Sequence, residues 1–125
     1  MTALSRQPVR IELPWPSRTL HPNERPHWRK KAEATKAARI GAAWAAKLAG
    51  APKPPKGAYV RLTPIITPPN NRGHDTDGVI ASLKAAYDGI ADWIGIDDRN
   101  WKHGAPVRLP AKAPGGVVVE LEVAG

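Results

Sequence analysis

An α+β domain with a small mixed sheet of about four strands and two main helices is what this 125-residue chain predicts. Three observations carry that expectation. Short alternating or β-branched runs stand near both ends and in the middle, two long helical periodicities lie between them, and Pro- or Gly-rich connectors separate each from the next. Residues 1–125 read as a single domain, because neither half alone holds enough apolar residues for a core.

Val9–Leu13 (VRIEL) alternates apolar and charged residues and stops at Pro14, as a half-buried strand does. The stretch 14–26 (PWPSRTLHPNERP) holds too many turn-makers to continue it and reads as a long shaped loop. Pro26 suits a first helical turn, and a helix over about 26–49 follows, with Trp28, Ala32, Ile40, Ala43, Trp44 and Leu48 as its expected apolar contacts. APKPPKG at 51–57 is a stiff connector. The β-branched run 58–67 is a second strand, and 70–74 is a polar turn. Over about 78–94, Val79, Leu83, Ala86, Ile90 and Trp93 recur at three- and four-residue steps, so a helix with one apolar stripe is expected, ended by Gly95. A short strand within 100–109, a loop over 110–116 and a terminal strand at 117–123 (VVVELEV) complete the order β-α-β-α-β-β.

Composition narrows the function classes. There is no Cys, which excludes a disulfide framework and thiolate metal sites and fits a cytoplasmic protein. No apolar run reaches the ~18–20 residues of a membrane span, and the N-terminus lacks a signal-like apolar region. Net charge is +8, unevenly placed: residues 1–56 carry twelve Lys or Arg against three acids, whereas 57–125 carry seven against eight. A basic first half points to a nucleic acid rather than a membrane, because the large apolar groups on its helix are few.

Against that basic background stands PNNRGHDTDGVIASLKAAYDGIADWIGIDDRN, residues 69–100. Asp75 and Asp77 precede the second helix, and Asp97 and Asp98 follow it. Clustered carboxylates repel one another and are made tolerable by a cation. Asp77, Lys84 and Asp88 share one polar stripe, opposite the apolar one. If the loop after the helix curls back, Asp75, Asp77 and Asp98 become ligands for Mg²⁺, with Mn²⁺ as an alternative, and Lys84 stabilises charge on a phosphate. A purely structural account uses the same residues: Asp77 caps the helix, Asp75 closes an Asx-turn, Lys84 pairs with Asp88, and Asp97–Asp98 form a turn.

These residues resemble the RusA family of Holliday-junction resolvases, in particular versions found in phages and prophages. The likeness runs from LPWP at 13–16 through HPNERPHWRKKAEATKAAR at 21–39 to HDTDGVIASLKAAYDGI, and the Asp-Asp pair follows at the family's distance. The resemblance implies a homodimeric, Mg²⁺-dependent endonuclease that binds four-way junctions, with Asp75, Asp77 and Asp98 on the metal and Lys84 as the catalytic lysine. The family usually has Asn directly after the second Asp; here Gly78 stands there.

The expected phosphate contacts are the run RPHWRKK, namely Arg25, His27, Arg29, Lys30 and Lys31, with Arg18 as an extension and Arg72 beside the aspartates. Trp28 reads first as a core residue and second as a platform for an unpaired base. Arg99, Lys102 and His103 are further flanking candidates. The four His lack an H-x-x-x-H spacing, which argues against zinc. The alternative function is a non-catalytic nucleic-acid-binding module whose acidic cluster is structural.

Overall fold

Residues 8–22, 24–25 and 27–124 are described by the computed structural model of the chain. The expectations for the N-terminal leader and for Pro26 lie outside the described residues. The fold is α+β, as expected. Among the described residues five strands, β1 (Val9–Leu13), β2 (Tyr59–Thr67), β3 (Trp101–His103), β4 (Val107–Arg108) and β5 (Gly116–Ala124), form one mixed sheet. Its order is β1-β5-β2-β3, with β4 continuing the edge beyond β3 along β2. β1 and β2 both run antiparallel to β5, whereas β3 and β4 run parallel to β2.

The single short strand expected within 100–109 is therefore two, and Pro64 shows why the break is tolerated. Gly104 N donates to Leu62 O and Leu109 N to Ile66 O, each at 2.8 Å, so alternate residues of β2 face this edge. Pro64 falls between them, opposite the gap, where its missing N–H breaks no ladder bond.

One face of the sheet is apolar and covered. Ile11, Val60, Leu62, Ile66, Val117, Val119 and Leu121 point from it into a core completed by Leu83, Ile90 and Ile94. The other face carries charge, including an Arg10–Glu120 pair at 2.7 Å. The second helix begins two residues earlier than expected and is divided at Leu83 into α2 (Thr76–Ser82) and α3 (Lys84–Ile94). Gly95 ends it with φ 76°, a left-handed turn that favours glycine.

The first helix, α1 (Trp28–Leu48), corrects the expectation for its apolar face. Its buried residues are Ala42 and Ala46; Trp28, Ile40, Trp44 and Leu48 are exposed. The cause is α3. A Cβ added at Gly89 would overlap the carbonyl oxygen of Arg39 and lie 3.1 Å from Ala42 Cβ, so the two backbones approach closely and only small residues fit between them. Arg39 also grips Asp92 through two hydrogen bonds, at 2.6 and 2.8 Å. Those bonds and the guanidinium charge hold the Asp92 carboxyl below the usual range. Among the described residues no helix is long and apolar enough to cross a membrane.

Tyr87 of α3 is buried beside Trp101 and stacks on His103, with ring centroids 5.8 Å apart in both pairs. Burial pushes its phenol from 10.0 up to about 12. The unfolded chain gives up that proton first, so stability present below about pH 10 is lost as pH rises towards about 12. The expected loss is up to roughly 2–3 kcal/mol, read by urea unfolding across that range, with Tyr87→Phe flattening this part of the profile.

Candidate functional site

The connection from β2 to α2 leaves the sheet at the carboxyl end of a parallel strand, where α/β folds gather ligands. Asn70 Oδ1 accepts from Arg72 N at 3.0 Å and from His74 Nε2 at 2.9 Å, which closes the turn. Arg108 straps it from β4 by donating to His74 O and, at 2.9 Å, to Thr76 Oγ1. The His74 ring meets Trp15 edge-on, with centroids 5.2 Å apart. Asp75 then caps α2 by accepting from Gly78 N at 3.1 Å, and Asp77 stands exposed in the first turn. Asp75, not Asp77, is thus the capping residue.

A cavity of about 550 Å³ opens beside this corner. Arg18, His21, Arg72, His74 and Asp75 line it. Arg18 is paired with Glu24 at 2.8 Å. His21 comes from the loop after β1, and its ring occupies the space a Cβ on Gly78 would take. The Gly78 departure from the resolvase pattern therefore coincides with a ring seated over the start of α2. Gly78→Ala is expected to push that ring aside. The ring is the movable end of a flexible side chain, and alanine's helix propensity offsets the crowding by about 1 kcal/mol. Stability should change by less than about 1 kcal/mol, while the His21 ring signals shift in two-dimensional NMR.

The remaining sequence candidates are placed as follows. Lys84 is exposed and 3.7 Å from Asp88, one turn on, as the shared stripe implied. Asp97 accepts from Arg99 N at 3.0 Å through its carboxylate and from Asn100 N at 2.9 Å through its carbonyl. Asp98 opens a single 3-10 turn, Asp98–Asn100, directly before β3; its side chain lies outside the described part.

The loop after α3 does not curl back, which corrects the expected convergence of Asp98 with Asp75 and Asp77 within one chain. β3 is parallel to β2, so the connections entering and leaving α2–α3 lie at opposite ends of the sheet. Trp101 stands beside Val60, and Arg108, which holds the Asp75 corner, beside Ile66; those six steps of strand span about 20 Å. A carboxylate side chain bridges only a small part of that. Among the described residues no group of three or more His, Asp or Glu is placed to hold a metal ion.

Of the expected phosphate contacts, Arg18 and Arg72 share the cavity with Asp75, and Arg25 is exposed in the loop before α1. His27 caps α1 by accepting from Arg29 N at 3.2 Å, and its ring stacks on Trp28. Arg29, Lys30 and Lys31 are exposed on the first turns. Arg99, Lys102 and His103 sit at the far end with Asp98. Sequence reasoning passed over His21, Trp15 and Arg108 as site residues; nothing in their local spacing marks them, since each reaches the corner from a distant element.

No family model matches the chain. A protein of Xylella fastidiosa (strain Temecula1 / ATCC 700964), described as an uncharacterized protein, is 35% identical over 118 residues, which span 93% of this chain and 77% of that protein.

Proposed function

We propose that this chain, which belongs to the same family as the Xylella fastidiosa protein, is a cytoplasmic Mg²⁺-dependent endonuclease acting on branched DNA such as a four-way junction. The observation that carries the reading is the corner between β2 and α2. Of two exposed aspartates with one residue between them, Asp75 lines a cavity bearing Arg18 and Arg72, in a chain of net charge +8. The likeness of HDTDGVIASLKAAYDGI to the RusA resolvases supports the same assignment.

The donor set fits a hard cation. Mg²⁺ accepts carboxylate oxygens, keeps several waters and is commonly held by one or two carboxylates plus substrate phosphate. Asp75 and Asp77 would hold it. When bound, such an ion polarises the phosphate and lowers the pKa of its water. Arg72 and Arg18 orient the phosphodiester in the cavity, and Lys84, the first residue of α3, neutralises an adjoining phosphate. Opposed cuts in a junction need two sites related by a two-fold axis, so the working form is a homodimer, in which Asp98 serves the partner's corner.

One observation favours a second reading, a nucleic-acid-binding module without catalysis. Asp75 and Asp97 already have structural work, as a helix cap and a turn closure. An end-labelled synthetic junction, incubated with and without Mg²⁺ or Mn²⁺, separates the two. Metal-dependent nicks that vanish in Asp77→Asn support the endonuclease. Tight binding with no nick in any branched DNA assigns the binding module instead.

A further inference from the structure

The outward surface of α1 is built unlike the rest of the molecule. Trp28 is 68% exposed, Ile40 50%, Trp44 56% and Leu48 82%. Two shallow grooves run along the helix. One holds Trp28, Lys31 and Thr35; the other holds Ile40, Trp44 and Lys47 and extends to Trp93 of α3. Lys36 and Arg39 line both, so the grooves are continuous. Cations already sit over the rings: Arg29 5.2 Å from Trp28, Lys47 4.8 Å from Trp44, Lys53 4.1 Å from Trp93. Trp28 and Trp44 are sixteen residues apart, about 24 Å along the axis and about 160° around it, so the continuous groove winds part-way round α1.

We propose that this winding groove binds single-stranded or unpaired nucleic acid, with bases stacked on Trp28 and Trp44 and phosphates held by Lys31, Lys36 and Lys47. Charge complementarity selects the occupant. Among the described residues the one acid lining the groove is Asp92, and Arg39 already neutralises it. A second copy of this helix would bring lysines against lysines. A strand of nucleic acid supplies the two things the face lacks, negative charge at short intervals and flat apolar rings that replace water on the indoles. An anionic membrane would answer the charge, but the large apolar side chains here are few and widely spaced for insertion. The inference goes beyond the proposed hydrolysis, since binding here needs neither metal nor cleavage.

The test uses the full chain in EDTA with a fluorescein-labelled oligothymidylate, read by anisotropy. Trp44→Ala and Trp28→Ala should each weaken binding about five- to a hundredfold, with Trp44→Phe retaining most of it and thermal melts of all variants close to wild type. Heparin, a polyanion without bases, should bind wild type and Trp44→Ala alike. Binding is read in EDTA, without metal or cleavage, so a failure of the cleavage reading leaves this result standing. Unchanged oligonucleotide affinity in both Trp variants overturns the groove. So does a sedimenting dimer that Trp44→Ala dissolves, or flotation with phosphatidylserine vesicles that Trp44→Ala abolishes while oligonucleotide binding persists.

Discussion

Asp77→Asn is expected to lower metal-dependent junction cleavage by at least about a hundredfold, more than the ~10–100-fold cost typical of groups that merely support a metal ligand. The amide keeps the size and polarity of the carboxylate and removes its charge, so the fold should persist and the cation should not bind. Asp98→Asn is the more telling partner. Its backbone stands about 20 Å along β2 from the Asp75 corner. A chain acting alone should therefore cleave almost normally without it. A homodimer that brings this residue to the neighbouring corner should lose cleavage as deeply as Asp77→Asn does. In that second case, mixing the two inactive variants should restore part of the activity, because some mixed dimers contain one intact set of ligands. Loss in both variants with no recovery on mixing would count against delivery of Asp98 from a partner.

Gly89→Val should destabilise the protein by about 3 kcal/mol or more, at or above the upper end of ordinary overpacking costs. A side chain at that position meets the backbone carbonyl of Arg39, which cannot swing away as a side chain can. α1 and α3 would have to separate, exposing Ala42, Ala46 and the apolar residues beneath them. Gly41→Ala provides the contrast. Nothing lies within 4 Å of its added Cβ, and the residue is in the middle of α1, so stability should rise by up to about 1 kcal/mol. Urea midpoints for both variants and wild type check the pair.

The elements legible in the sequence were those whose pattern is local. VRIEL spans the observed β1 without error, and the terminal β-branched run lies within β5. The stripe Val79, Leu83, Ala86 and Ile90 is buried as its period required, and Gly95 stops the helix. The face of α1 was misread because size was used as a guide to burial. Contact with Gly89 selects alanines for the interior and turns the tryptophans outward, and that contact belongs to another helix. Asp98 was misplaced for a similar reason. Counting residues from Asp77 measures chain length, whereas the parallel pairing of β2 and β3 decides that the two connections leave from opposite ends of the sheet. His21 over Gly78 joins a loop to the first turn of α2, and local spacing does not relate the two. The turn at Asp97 and the Lys84–Asp88 pair were readable because each closes within a few residues, whereas the cap expected at Asp77 is held by Asp75.

Arg39 is anchored twice, by its carbonyl against Gly89 and by its guanidinium on Asp92. Sliding α1 by one turn along α3 would break both anchors together, so the longitudinal phase of the two helices is locked. A polynucleotide lying along the tryptophans would therefore be carried at a constant offset from the aspartate corner.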